Sequence, residues 1–424
     1  MKLNRRNFLT AAGIGVGGLL MGACGSGGGT GGNGGGGGGN GRLSILTPEF
    51  AGTEGKEAFE GNILSGFPDT QFAVDYTDWD RLNEKLSAAV AGGVVSDLIM
   101  VGAGWVEPFA HKGVLTELPS TIGDGKNINE NLFKVAQYDG ATFALPYFVD
   151  GRILMYHREM FEDAGVDESS LPTNLEDFRE LLKVVQPDGG VGFDMFTQNL
   201  RQVWAHLVGA FGGTMFSEDG LSVAFTDGSG VDALQYMLDL VADGTVNYDV
   251  QGAEGQPRPW QQKVAAIDLQ NSSAWPNLTE QTPDLVTEES MGMMLLPSAD
   301  GGDPVMFQGG TLLTASARSQ NPELVQELIG FLLEPENMLT AVEMVGKVPS
   351  RDDLDDPIVN DNLMAAYIVD NFEYATVYEG GSPAWMEVRG QVAAEIEAAV
   401  VGQKTAAEAV DALAAVANDA LTRV

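Results

Sequence analysis

The sequence predicts an α/β chain built as two lobes. Three observations carry this. Short apolar strand patterns alternate with helical ones from Leu43 to Val101, the stretch Tyr138 to Val166 closes one such series and opens a second, and about 380 residues follow a glycine-rich segment, enough for two domains with cores of their own.

The first residues read as an export signal. Lys2 and Arg5-Arg6 precede a low-charge run from Phe8 to Met21, too short for a bilayer span of about 20 apolar residues and interrupted by glycines. Asn4-Arg5-Arg6-Asn7-Phe8-Leu9 resembles a twin-arginine signal. Met21-Gly22-Ala23-Cys24 resembles a lipobox, with methionine where leucine or valine is commoner. Cys24 is the chain's one cysteine and has no internal partner for a disulfide, so lipidation is expected there. Gly25 to Gly41 cannot bury apolar surface and is expected to be a flexible tether with a reach of about 20–25 Å. Residues 1–23 are thus read as signal and 24–41 as tether.

Net charge narrows the partners. The chain carries −37, and removing residues 1–23 takes away Lys2, Arg5 and Arg6 and no acid, leaving −40. Phosphates would be repelled, which excludes nucleic acid and a polybasic mode of membrane contact. A carboxylate-rich surface with ten lysines in the chain suits strong salt, where self-repulsion is screened, so a halophilic source is expected, with an ordinary acidic secreted protein as the alternative. The charge speaks to solubility and does not identify a ligand.

The body opens with a strand, Leu43 to Leu46, a helix-like segment, Lys56 to Phe67, and a strand, Gln71 to Tyr76. Leu82, Leu86 and Val90 form one apolar helical stripe that Gly92-Gly93 ends, and Asp97 to Val101 is a buried strand. This is the start of a doubly wound sheet, whose ligands sit beyond the carboxyl ends of the strands. Thr47 to Phe50 and Gly102 to Trp105 lie at those ends and are candidate cleft walls.

The crossing stretch has its own punctuation. Tyr138-Asp139-Gly140 is a tight turn, Phe143 to Leu145 a short strand that Pro146 stops, and Asp150-Gly151 a second turn before the strand Ile153 to Tyr156. A helix with Met160 and Phe161 on its inner side ends at Gly165. Beyond it, Thr173 and Glu176 form a capping box for a helix carrying Phe178, Leu181 and Leu182. Trp204 and His206 share a further helix. Val231 to Val241 is another, closed by Asp243-Gly244, and a strand runs up to Asn271 and Trp275. The chain crosses back near Met293 to Pro297 and enters a strand after Gly309-Gly310. It crosses a third time near Glu334-Pro335 and closes on helices with a Thr405/Glu408 capping box.

The order of these pieces resembles the extracellular solute-binding proteins of ATP-driven importers, the maltodextrin-binding class. The resemblance rests on the Asp139 to Tyr147 segment, Met155-Tyr156-His157, Met160 to Val166 followed by Pro172-Thr173, the segment 259–275, Gly346 to Arg351, and the closing helices from Gly402. His157 stands where the family usually has asparagine, and Gln262 and Ala266 where glycine and methionine are usual. The resemblance implies a two-lobed periplasmic-binding-protein-like fold with doubly wound sheets and multiple hinge crossings. Lobe 1 would be 42–148 plus 294–333, and lobe 2 149–293 plus 334–424. It further implies no catalysis, no cofactor, a monomer anchored to the outer face of the cell membrane, a sugar or oligosaccharide ligand, and an ABC permease as partner.

Chemistry absent from the sequence agrees. It has no GxSxG, HExxH or P-loop motif and no clustered Cys/His set. His111 is expected exposed at a helix end, His157 as a hydrogen-bonding residue of the hinge region, and Asp352 to Asp356 as a solvated loop. Carboxylate pairs are unavoidable among 60 acids, so a secreted carbohydrate-active enzyme remains an alternative, as does a sensor serving no permease. A sugar site needs aromatic faces and a polar rim. Trp79 is assigned to the core. Candidate ligand contacts are Phe50, Trp105, Asp150, Trp204, Asn271, Trp275, Gly309, Gly310, Arg351 and Trp385. Trp105 and Trp275 are expected on opposite walls, with Asp150 and the two glycines on the floor.

Overall fold

The computed structural model describes residues 41–197, 199–252, 256–354 and 356–424. The signal, Cys24 and nearly all of the expected tether lie outside these residues. Gly41, expected at the end of the tether, is instead the first residue of a strand and pairs with Thr70. Among the described residues no helix is long and apolar enough to cross a membrane.

The strands in chain order are β1 (Gly41–Thr47), β2 (Thr70–Tyr76), β3 (Leu98–Gly102), β4 (Gln137–Tyr138), β5 (Ala141–Thr142), β6 (Ala144–His157), β7 (Val191–Asp194), β8 (Ala265–Asn271), β9 (Met291–Met294), β10 (Phe307–Ala315) and β11 (Val348–Pro349). β4 and β5 form a hairpin whose turn, Asp139-Gly140, has positive φ at both residues, as the sequence predicts. The others join one sheet along the path β2-β1-β3-β10-β6-β8-β7, with β9 and β11 pairing to β6. β1 runs parallel to β2 and β3, and β7 parallel to β8. β10 and β6 run antiparallel between these two parallel sets.

Both faces of this sheet are buried, and successive residues show it. Leu98, Met100, Ile153 and Met155 belong to one apolar cluster with Phe59, Leu328 and Leu332. Ile99, Val101, Leu154 and Tyr156 belong to another with Leu82, Phe178, Leu234 and Val388. Alternate side chains therefore meet helices on opposite faces, the reason these strands read as continuous apolar runs. The helix Trp79–Gly92 is started by Asp78, which accepts from the Arg81 N–H, and ended by Gly93 at φ 73°. The final helix, Ala406–Leu421, carries the full Thr405/Glu408 capping box.

Three local expectations are corrected. Pro146 does not stop its strand. β6 runs unbroken for 14 residues, and the register shifts beside the proline, so Tyr147 bulges against the Thr311–Leu312 step. Asp150-Gly151 is not a turn but extended backbone opposite Gly309 and Gln308, and both glycines, Gly309 and Gly310, lie inside β10. The helix Leu175–Val185 is capped by Asn174, which accepts from the Asp177 N–H, one residue later than the Thr173 box. Trp275 does follow a strand, opening the short helix Trp275–Gln281 beyond β8.

Candidate functional site

A cavity of about 390 Å³ lies beyond the carboxyl ends of β1, β2, β3 and β8, over the middle of β6 and the start of β10. That is where a sheet of this winding receives ligands. Spacing positions its floor. Asp150 and Arg152 are two residues apart on β6 and so share one face. Gly309 lies opposite Asp150 in the ladder, and a Cβ there would stand 3.1 Å from the Asp150 carbonyl oxygen. At Gly310 a Cβ would stand 2.5 Å from the Phe148 carbonyl oxygen. Only glycine lets the two strands approach this closely under the cavity.

One wall is aromatic. The Trp79 and Trp105 rings meet edge to face, centroids 6.5 Å apart at 75°, and Trp105 lies against Phe109 at 6.2 Å. Trp79, assigned to the core from sequence, is in fact half-buried and at the cavity, because it starts its helix directly after β2.

The remaining walls are charged. Lys347 Nζ lies 2.5 Å from Glu49 Oε1, which also accepts from the Thr311 hydroxyl at 2.7 Å, and both charged side chains are buried. Burial alone would lower the Lys347 pKa, but Glu49 and Asp150 more than offset it and hold it up. Burial pushes the Asp150 carboxyl up, against the pull of Lys347 and Arg152. Asp150 Oδ1 has no hydrogen-bond partner among the described residues. Arg152 donates to Gln202 Oε1 at 2.6 Å, with its guanidinium 6.0 Å from the centre of the Phe307 ring. Arg201 pairs with Glu379. Burial drives the Arg201 pKa down, with repulsion from Arg389 and Arg152 adding to it. Arg389 lies 5.1 Å over the Trp105 ring, and its Nε has no hydrogen-bond partner among the described residues.

Of the ten candidate contacts, the structure brings Trp105, Asp150, Asn271, Gly309 and Gly310 to this cavity. It does not bring the other five. Phe50 stacks on Phe59 at 4.5 Å in the core. Trp204 and Trp385 are fully buried, the first donating to the Gly230 carbonyl and the second packed edge-on to Phe216. Trp275 is half-buried against the cluster that contains Leu278 and does not line the cavity, so the expected pair of walls with Trp105 is not formed. Arg351 is tied to Asp353 and to the Leu333 carbonyl beside a separate 230 Å³ recess. His157 is buried, stacked on Trp260 and bonded to its carbonyl oxygen at 2.9 Å, whereas His111 is exposed, with Nδ1 2.8 Å from the Tyr138 hydroxyl.

Sequence reasoning missed the cavity's cations. Arg152 was legible in principle, two residues beyond Asp150 on one strand. Arg201 and Arg389 were not, since each lies within an apolar helix whose turn toward the cavity depends on tertiary packing.

The arrangement offers an aromatic corner, amides, carboxylates and guanidinium donors around a space of small-ligand size. Among the described residues no group of three or more His, Cys, Asp or Glu side chains stands ready to hold a metal ion.

Comparison with known proteins agrees with this architecture. The diacetylchitobiose binding protein DasA of Streptomyces coelicolor is 25% identical over 296 residues, 65% of this chain and 65% of that protein's length. The sugar-binding protein MalE of Xanthomonas citri superposes with a TM-score of 0.75 at 18% identity, over 90% of this chain and 98% of that one. UgpB of Mycobacterium tuberculosis, in complex with glycerophosphocholine, gives a TM-score of 0.72 at 18% identity, over 90% and 99%. These structural likenesses establish the fold. Residues 51–339 match the model of the bacterial extracellular solute-binding proteins, and this chain belongs to that family of binders, not enzymes.

Proposed function

We propose that the chain is the receptor of an ATP-driven importer, capturing a sugar or short oligosaccharide between two lobes and delivering it to an ABC permease. One observation carries the reading. The Trp79–Trp105 corner, Asp150, Asn271 and a set of guanidinium donors line one 390 Å³ cavity. Sugar rings offer apolar faces to such a corner and hydroxyls to such a rim. The cavity is near the lower end of the usual range for ligand pockets, about 300–1,000 Å³, which favours one or two rings over a long chain. DasA and the Xanthomonas protein, both named for sugars, support the class.

In this reading the lobes are 42–148 with 294–333 and 149–293 with 334–424. They rotate about the crossing strands, and closure tells the permease that the receptor is loaded. Export follows the twin-arginine route, and Cys24 carries the lipid that holds a monomer at the outer face of the membrane. Stable attachment needs at least two acyl chains, so Cys24→Ser should move the protein into the medium or leave it on an uncleaved signal. Equal membrane fractionation of wild type and variant, with lipid on neither, would sink the anchor. The acidic surface supports a saline habitat, in which case the body melts at lower temperature in dilute buffer than in molar salt.

The direct test is a thermal-shift screen of sugars, polyols, amino acids and phosphate esters. A ligand at 100 times its Kd stabilises by about 2.7 kcal/mol. Stabilisation by sugars without turnover is expected. A shift confined to amino acids would overturn the sugar reading.

A further inference from the structure

The charges around the cavity go beyond what a neutral sugar requires. Beyond residue 23 the chain carries twenty Lys and Arg side chains against 60 acids, yet Arg152, Arg201, Arg389 and Lys347 all line this one space, beside Glu49, Asp80, Asp150 and Glu379. Lys347 and Arg201 are matched by Glu49 and Glu379. Arg152 is engaged by Gln202, with Asp150 and Asp268 acting on it through space. Arg389 is matched least. It rests on the Trp105 face, its Nε meets no acceptor among the described residues, and the nearby carboxylate that acts on it, Asp80, is exposed. Arg201 feels both other guanidiniums as repulsive neighbours. Like charges gathered in a partly desolvated space are costly, and an anion between them relieves that cost. Planar guanidinium forks also fit an oxyanion better than they fit single hydroxyls.

We propose that the solute carries an oxyanion, a sugar carboxylate or sugar phosphate, seated at Arg389 and flanked by Arg201 and Arg152, with its ring against the tryptophan corner. This rests on the sugar reading above and adds a charge to it. A guanidinium lying over Trp105 places the anion beside the Trp79–Trp105 corner, so one small molecule reaches both.

The test is calorimetric titration of the purified protein with glucose, glucuronate, glucose 6-phosphate and glycerophosphocholine, at 50 and 500 mM salt. At least one charged sugar should bind 30-fold or more tighter than glucose, and weaken several-fold at the higher salt. Glucuronate against glucose 6-phosphate separates carboxylate from phosphate. Arg389→Gln should lose at least tenfold more affinity for the charged sugar than for glucose. Arg389→Lys should recover part of the loss, with both variants checked for an unchanged melt. Glucose binding as tightly as every charged sugar, or no charged probe binding, overturns the inference and leaves the sugar reading to stand or fall on glucose. Binding of glycerophosphocholine alone keeps the anion seat and overturns the sugar. Equal losses on charged and neutral ligands in Arg389→Gln also overturn it.

Discussion

A Cβ on Gly104 would stand 2.1 Å from the carbonyl oxygen of Glu379 and 2.9 Å from Trp385 Nε1. The approach is mutual, since a Cβ on Gly380, at φ 129°, would stand 2.6 Å from the Gly104 Cα. Nearby, Glu107 receives a backbone hydrogen bond from Gly381, and Lys134 sits 5.5 Å over the Tyr378 ring. The turn after β3 and the segment 378–381 therefore touch at the edge of the cavity. They belong to different lobes in the proposed division.

Gly104→Ala tests whether this seam opens. The methyl group cannot be accommodated against a backbone carbonyl, so one side must move away. If the lobes part there, ligand affinity should fall about tenfold or more while the melting midpoint stays within a few degrees, because closure pays and the cores do not. A loss of several kcal/mol of stability with unchanged affinity would mark the seam as fixed core. Solution scattering on the ligand-free variant should show a larger radius of gyration than wild type.

The tryptophans separate by position, since Trp105 and Trp385 are both buried and Trp275 half-buried, but of the three Trp105 alone lines the cavity. Trp105→Ala removes a cavity wall and should cost roughly 2 kcal/mol of binding, as for an aromatic hot spot, and, because the ring is also buried against Phe109, should lower stability as well. Trp385→Ala empties a fully buried site and should cost about 3–5 kcal/mol of stability. Trp275→Ala, outside the cavity lining, should leave affinity within twofold. Titration and denaturant melts of the three variants check this. A tenfold affinity loss in Trp275→Ala would contradict the placement.

Breaking the Lys347–Glu49 pair in the cavity wall should be worse than removing it. Lys347→Met leaves Glu49 buried beside Thr311 without its cation, which costs about 3–5 kcal/mol. Adding Glu49→Gln should recover much of that, since an uncharged pair needs no compensation. A double variant as unstable as the sum of the two singles would show that the side chains act independently.

The fold was legible because its signals are local and repeated. Buried strands such as Leu98–Gly102 read as continuous apolar runs, and the stripe Leu82, Leu86, Val90 ended at a glycine that does take the left-handed conformation. Pro146 misled because proline's missing N–H is tolerated at a bulge, and a bulge depends on the partner strand. The site was half legible for a related reason. Residues at strand ends, Trp105 and Asn271, were found by winding alone, as were the crossing residues Asp150, Gly309 and Gly310. Side chains reaching the cavity from helices or loops, Arg201, Arg389 and Lys347, carry no periodic mark. Tryptophans at plausible positions, Trp204 and Trp385, are indistinguishable by sequence from those the core consumes.

Acid stability depends on groups that oppose one another, and single variants pull them apart. Burial lowers both His157 and His206 to about 4, from about 6.5 in an unfolded chain. As pH falls from 6.5 to 4 the unfolded chain takes up these protons and the folded protein does not, so stability is lost across that window. Glu107 works the other way. Burial raises it to about 7, partly offset by Lys134, against about 4.5 unfolded. The folded protein then binds the proton first as pH falls from 7 to 4.5, and stability is gained. Asp150 and Asp194, also raised by burial, act in the same sense as Glu107. The net slope is a sum over all of these, but each variant removes one contribution of at most about 1.4 kcal/mol per pH unit. His206→Gln should therefore flatten the acid-side loss between pH 6.5 and 4.5, whatever it does to stability at neutral pH. Glu107→Gln should steepen that loss, because the opposing gain is gone. Denaturant melts at half-unit steps from pH 7.5 to 4.5 read both slopes. A shallower acid-side loss in Glu107→Gln would mean that the folded protein holds this carboxyl below its unfolded value of about 4.5, with the attraction of Lys134 outweighing burial against the 378–381 segment.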